Sequence, residues 1–359
     1  MAASVTISRV GSGVLLGLLL GGCQTVGYYA QAVGGQMEIW RASRPIEKLI
    51  ADETTDPVVR KRLQRTVEIR DFASRELALP DNRSYRRYAN LQRPYVVWNV
   101  FAAPEFSLQA EQWCFPFAGC VAYRGYFSEE RARRFAGALE LEGLDVFVSG
   151  IPAYSTLGWF ADPVLNTFLH YPEAELARLI FHELSHQVAY VKDDTAFNES
   201  FAVAVELEGV RRWLAGSGNA AQLGEFEANQ QRRRDFLELF ARYREILQKL
   251  YAGSLSEAEM RAAKADAFAR MRAEYTRLRE NWGGFAGYDR WFYEPLNNAK
   301  LISVVAYTDL VPAFQALLDH NDGDLAAFYA EVRELSGLRR QERRARLADA
   351  IEGEPAAHR

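Results

Sequence analysis

Within the apolar stretch IFHELSHQVAY, residues 180–190, two histidines stand one helical turn apart with a glutamate directly after the first. The chain has only five histidines, so placing two of them in one buried-looking segment calls for a chemical reason. In a helix, positions i and i+4 share a face, so the His182 and His186 imidazoles can point at one ion with Glu183 close beside them. Zinc takes imidazole nitrogen at about 2.0–2.1 Å, and a catalytic site uses three protein ligands plus a water. Glu183 is then placed to act as general base toward that water, whose pKa the metal lowers to about 7. The flanks suit a helix: Pro172 and the acids of PEAELARL mark its start. Leu179, Ile180 and Phe181 are suited to bury the incoming turn, Val188 and Ala189 the outgoing one.

A third ligand is expected from FNESFAVAVELEGV, residues 197–210, which reads as a second amphipathic helix starting near Asn198. The polar VKDDT before it supplies a turn, so Glu199 can return to the first helix and complete a His, His, Glu zinc site. Asp193 and Asp194 compete, but they lie too close to the end of the first helix to reach back easily. Glu206, two turns beyond Glu199 on nearly the same face, is suited to support a ligand imidazole by accepting from its other ring nitrogen.

The rest of the chain frames that pair of helices. With 359 residues, 49% of them hydrophobic and 13% aromatic, the chain can bury a sizeable core. A formal net charge of −4 without a long basic run excludes nucleic acid as an expected partner. Residues 45–79 read as two helices broken near Pro57. Between 94 and 160, PYVVWNVFAAP, CVAYRGYF and LDVFVSGIPAYSTLGWF are rich in β-branched and aromatic residues and read as strands. A highly charged stretch, 222–282, reads as a helical hairpin turned at YAGSLS, with Ser256 and Glu259 forming a capping box and the charge run as a solvated face. The last 20 or so residues read as a charged tail that need not be ordered.

At the N-terminus, Arg9 precedes an apolar or small run from Val10 to Gly22, too short to span a bilayer with its need for about 20 residues. It ends Leu20-Gly21-Gly22-Cys23, which resembles a bacterial lipobox. That resemblance implies a signal peptide over 1–22, a lipidated Cys23 as first mature residue, and a tether over 23–43 running into a helix. Gln24 rather than aspartate after the cysteine implies the outer membrane, with the protein facing the periplasm. Export permits a disulfide between Cys114 and Cys120 in CFPFAGC; two unpaired buried thiols are the alternative.

The run His182-Glu183-x-x-His186 followed by Asn198-Glu199-x-Phe201-Ala202 resembles the gluzincin metallopeptidases. YRGYF (123–127), PAYSTLGWFADPVL (152–165), FHELSHQ and LNNAKLISVVAYTDLVPAF (296–314) resemble a proteobacterial lipoprotein family of predicted aminopeptidases. The resemblance implies an edge strand before the metal helix, here AYSTLGWF, to align substrate. It also implies a downstream tyrosine or histidine to stabilise the oxyanion. Tyr307 is the first choice for that phenol, with Tyr154, also a candidate substrate contact, and Tyr293 as alternatives. Asn297 and Asn298 are candidates for binding substrate backbone, or for capping their helix. Arg124 is a candidate for a substrate carboxylate or a structural ion pair; His170, His320 and His358 read as loop and surface residues. The connection from His186 to Glu199 is shorter than the gluzincin norm, and no Gly-x-Met-x-Asn motif for a free amino terminus is present. Aminopeptidase and endopeptidase action therefore both stay open.

These readings converge on an α+β, predominantly helical chain. Its zincin-like catalytic core, a short mixed sheet plus the active-site helix, lies in one domain over 44–359 that includes the hairpin. The expected function is zinc-dependent hydrolysis of peptide bonds in the cell envelope, with one zinc ion and a peptide or protein substrate. The rival is a non-catalytic envelope lipoprotein, scaffold or holdase, with a structural metal site; an unligated Glu183 has no use in such a site.

Overall fold

The computed structural model describes residues 11–115, 119–153, 156, 160–216, 218, 220–304 and 309–353, with side chains from Gly27 onward, those of Phe115 and Gly119 excepted. It is an α+β structure, mostly helical with small sheets. The first helix, α1 (Gly11–Ala42), runs through the stretch expected to be a tether. Packing holds its later part in helical form. Ile39 is buried, and the Gln31 amide accepts from Phe127 N and donates to Gly125 O. At Gly35 a Cβ would fall 2.1 Å from the Phe127 ring, so only glycine lets the helix lie this close. No helix among the described residues is long and apolar enough to cross a membrane.

A short strand β1 (Ser43–Pro45) and helices α2 (Ile46–Ala51) and α3 (Pro57–Arg75) follow, the break falling at Pro57 as its ring requires. The Asp56 carboxylate caps α3 by accepting from Val58 N and Val59 N. β2 (Arg87–Ala89) pairs antiparallel with β1 and parallel with β8 (Val164–Leu165). The larger sheet has the order β6-β3-β7, from β3 (Val97–Pro104), β6 (Arg124–Tyr126) and β7 (Leu144–Ile151), all antiparallel. A hairpin of β4 (Trp113–Phe115) and β5 (Gly119–Val121) puts Cys114 opposite Cys120, and the two are disulfide-bonded.

The strand-rich texture of 94–160 hides a helix, α4 (Glu129–Leu141), which covers the β3–β7 sheet with Ala132, Ala136 and Leu139. Its sequence carries the right signals: Ser128 caps Arg131 N, and Glu129 and Glu130 occupy the first turn. β7 is an edge strand with no strand on its outer side among the described residues. Of AYSTLGWF, expected to be the edge strand, Tyr154, Ser155 and residues 157–159 lie outside the described residues. Thr156 Oγ1 accepts from Phe160 N at 3.1 Å.

After α5 (Asn166–Leu169) come the two helices that carry the histidines and Glu199, α6 (Glu173–Ser185) and α7 (Thr195–Gly216). The charged hairpin follows as α8 (Ala220–Tyr251) and α9 (Glu257–Asn281), with the Ser256–Glu259 capping box formed. α10 (Asp289–Tyr293) and α11 (Asn298–Ser303) pack under the hairpin, and α12 (Val311–His320) lies against α7. Helices α13 (Leu325–Ser336) and α14 (Arg340–Glu352) close the main core. The charged tail, which need not have been ordered, is a packed helix over residues 340–352. Leu347 and Ala350 are buried, and Arg343 donates to the buried Asp194 carboxylate at 2.6 Å. Charge along that segment marks one face of a helix whose other face is apolar.

Candidate metal centre

Helix α6 starts behind Pro172 with Glu173 and Glu175 in its first turn, where acids oppose the positive helix end. Leu176, Ala177, Ile180, Phe181 and Leu184 bury one face, leaving Glu175, Arg178, His182 and His186 along another. The helix stops at Ser185, and His186 is its C-cap with φ −61° and ψ −18°. Those angles are still helical, so the one-turn relation between the imidazoles survives to the last residue. Val188 and Ala189 are buried in the turn beyond, not in a continuing helix.

The short connection to α7 is held by side chains. Asn198 Oδ1 accepts from Val191 N and its Nδ2 donates to Val191 O, both at 2.8 Å. Asp194 accepts from Phe197 N and is locked by Arg343. Helix α7 thus returns at once along α6 and brings Glu199 to the histidines.

The three expected ligands meet. His182 Nε2 and His186 Nε2 are 3.2 Å apart. Glu199 Oε2 lies 3.4 Å from His182 Nε2, and Glu199 Oε1 lies 3.7 Å from His186 Nε2. One ligand atom from each residue falls within 4.8 Å of the others, and this is the one such group of three or more among the described residues. A tetrahedral zinc with bonds near 2.05 Å needs ligand atoms roughly 3.4 Å apart. The donor set suits such an ion, Glu199 facing each imidazole with a different carboxylate oxygen.

Glu206 lies behind the first imidazole, its Oε2 2.8 Å from His182 Nδ1. A proton on Nδ1 shared with this carboxylate leaves the Nε2 lone pair facing Glu199 and His186. Glu206 is fully buried, and Arg178 Nη1 contacts both its oxygens at 3.1 and 3.2 Å. Arg233, from the hairpin, adds a longer contact at 3.4 Å. Burial alone would raise the Glu206 pKa, but the Arg178 charge and the His182 hydrogen bond bring it down to about 2.

The imidazoles differ. Burial disfavours charge on His182, yet hydrogen bonds to Glu199 and Glu206 outweigh it and lift the pKa to about 10. A cation bound there takes the place of that proton, since a ligand imidazole is neutral. Burial and the His182 charge push His186 down to about 4, so it keeps a free lone pair at neutral pH. Its Nδ1 is buried without a hydrogen-bond partner. Burial would raise Glu199, but the hydrogen bond and charge of His182 bring it below the ordinary carboxylate value.

Glu183 has a different task. Burial, opposed by the His182 charge and reinforced by Glu199 and Asp162, raises it to about 7. A carboxyl poised near neutrality can both take and return a proton.

Other expected site residues fare differently. Tyr307 and Tyr154 lie outside the described residues. Tyr293 is 75% exposed, its phenol donating to Asp289 at 3.4 Å. Of the two expectations for Asn297 and Asn298, the helix cap is seen at Asn297, and the fold uses both amides internally. Asn297 caps α11 by accepting from Lys300 N and donates to Val146 O at 2.8 Å. The buried Asn298 donates to the carbonyls of Pro104, Glu105 and Ser107 and accepts from Tyr251. Arg124 lies over the rings of Tyr28 and Phe135, 4.5 and 4.8 Å from their centroids. Cys23 falls within α1.

Three neighbours escaped the sequence reading. Arg178 and Tyr190 stand one turn before His182 and one turn after His186, and that spacing was a usable signal. The half-exposed Tyr190 ring lies 6.3 Å from the His186 ring. Asp162 arrives from a loop, and nothing local marks it: it accepts from Thr156 N and Oγ1 at 2.9 Å each.

A family model described as "Putative aminopeptidase" matches residues 27–347. No curated protein and no solved structure gives a significant match.

Proposed function

The chain belongs to the family described as "Putative aminopeptidase", and from that premise we propose that it is a zinc-dependent, gluzincin-like peptidase of the cell envelope with a zincin-like core. The observation that carries the reading is that His182, His186 and Glu199 bring one ligand atom each within 4.8 Å of the others, with Glu183 close by and outside that set. A zinc ion held there would supply Lewis acidity, polarising a scissile carbonyl and acidifying a water molecule. Glu183 takes the proton of the attacking water and returns it to the leaving amine, a cycle its pKa near 7 suits. Glu206 orients His182 through Nδ1, and Arg178 keeps Glu206 ionised. In this reading Tyr307 donates to the developing oxyanion and Tyr154 meets the substrate, both assigned from sequence alone. Lipidated Cys23 holds the chain on the outer membrane, facing the periplasm.

Elemental analysis of the zinc-supplied protein tests this directly. About one zinc per chain is expected in the parent and in Glu183→Gln, with the metal lost in Glu199→Ala. Peptide hydrolysis should require the metal and Glu183. A well-folded parent without stoichiometric zinc overturns the proposal.

A further inference from the structure

A cavity of about 630 Å³ opens between the first half of α6 and the hairpin, lined by Glu175, Arg178, Arg233, Phe236, Phe285 and Tyr288 among others. Its volume falls in the range of small-ligand sites, roughly 300–1,000 Å³. Glu175 and Arg178 lie on the same face of α6 as His182 and His186, by their spacing of three and four residues. The cavity therefore continues the face that carries the metal ligands, starting one turn before His182. At 1.5 Å per residue, Arg178 stands about 6 Å from His182 along the helix and Pro172, also in the lining, about 15 Å.

The lining is amphipathic. Phe236 and Tyr288 stack at 4.2 Å to make an aromatic wall, and Arg232 covers Phe285 with its guanidinium at 4.4 Å. The two lining arginines are used differently. Arg178 is committed, its Nε to Glu175 at 2.8 Å and its Nη1 to both oxygens of Glu206. Arg233 has a side chain 37% exposed and makes one long contact, Nη1 to Glu206 at 3.4 Å. No other hydrogen bond of Arg233 is found among the described residues. A guanidinium offers five N–H donors in a fork that matches a carboxylate. Most of that capacity remains open here, toward an aromatic-walled space beside the metal centre.

We propose that Arg233 anchors the C-terminal carboxylate of a short peptide substrate in this cavity, the last side chain lying against Phe236 and Tyr288. The proposal rests on the peptidase reading and adds a substrate class to it. An extended peptide advances about 3.3–3.6 Å per residue. A span of about 6 to 15 Å from the metal helix turn thus places the carboxylate roughly two to four residues beyond the scissile bond. Substrates are then tri- to pentapeptides with a free C-terminus. The lining carboxylate Glu175 is paired with Arg178, so the open charge in the cavity is that of Arg233, which favours a carboxylate over an ammonium there.

The test compares Ala-Gly-Ala-Phe as the free acid and as the C-terminal amide, in the parent, Arg233→Gln and Arg233→Lys. A charge-assisted hydrogen-bond pair predicts about a ten- to hundredfold higher kcat/KM for the acid in the parent. The acid-to-amide ratio should fall to near one in Arg233→Gln and stay intermediate in Arg233→Lys. Because Arg233 also touches Glu206, both rates can drop together; the ratio alone reports on the carboxylate. Hydrolysis without acid preference, or a preference that survives Arg233→Gln, overturns the assignment while leaving the peptidase reading intact. If the zinc-loaded parent cuts neither peptide, the peptidase reading fails, and calorimetric binding of the same two peptides decides the cavity. Acid-selective binding lost in Arg233→Gln upholds it; equal or absent binding overturns it.

Discussion

Two antiparallel helix pairs stand side by side in this protein, α6 with α7 and α8 with α9, and they treat charge in opposite ways. In the first pair, Phe181, Phe197 and Phe201 are fully buried, and so are Ser185, Ser200 and the carboxylate of Glu206. The buried Glu206 carboxylate there has fixed partners in Arg178 and His182, because an unpaired ion in a dry interior costs several kcal/mol. In the second pair an outer face of charges meets water: Lys249–Glu245 and Arg270–Asp266 are exposed one-turn ion pairs. Its inner side is aromatic, with Phe240 against Trp291 and Tyr275 stacked on Phe292 at 3.9 Å. In the proposed function the first pair carries the chemistry, and the second contributes only Arg233 to it. What separates them is whether burial makes the direction of each polar atom matter. Arg233 is the point where the pairs meet, a hairpin residue whose contact is with Glu206.

If that distinction is right, removing one atom's worth of charge from the first pair has large consequences. Glu183→Gln should lower peptide hydrolysis roughly a thousandfold, the middle of the range for a general base. Zinc content should stay at the parent level. A rate within a few-fold of the parent would break the comparison at its most important residue.

Glu206→Gln comes next. It takes from Arg178 its buried counter-charge and leaves it Glu175 alone, and because Arg178 is 24% exposed the cost should fall below the roughly 3–5 kcal/mol of a fully buried pair. Denaturant unfolding at neutral pH measures it. The pH dependence sharpens the assignment. The folded pKa of Glu206, about 2, lies below its ordinary 4.5. Its contribution is thus full above the unfolded pKa and is lost as pH falls through the folded one. The stability gap between parent and Glu206→Gln should narrow between about pH 5 and 2, by on the order of 3 kcal/mol. A gap constant over that window would mean that Glu206 is not held as a buried carboxylate.

The hairpin should respond far less. Ser256→Ala removes a capping box whose partners are solvent-exposed, and a cap of this kind contributes about 1 kcal/mol. Its expected signature is a small loss of stability with unchanged zinc binding. A loss as large as that of Glu206→Gln would show that the hairpin is no mere solvated structure.

The contrast also explains what could be read from the chain before its fold was known. His182, Glu183 and His186 are legible because one helical turn relates them, and local periodicity is independent of everything distant. Glu199 and Glu206 follow from the same rule applied to the next helix. The hairpin, the break at Pro57 and the Ser256 cap are likewise local signals. The misses have one source as well. Asn297 and Asn298 suggested substrate contacts, yet their amides meet β3, the turn after it, β7 and α8, which no local pattern announces. Helix α14 looked like a loose tail because its partner, Asp194, lies far earlier in the chain.

Sequence alone therefore determined which residues can face one ion together, since covalent spacing and helix geometry act over a few residues. Tertiary structure decided which charges surround that ion: Arg178 locked on Glu206, Arg233 left largely open, Asp162 brought near Glu183, Arg343 pinning the turn before Glu199. The physical reason is burial. A charge taken out of water must find its partner wherever the chain's path brings one, and that path is set by the packing of the whole core.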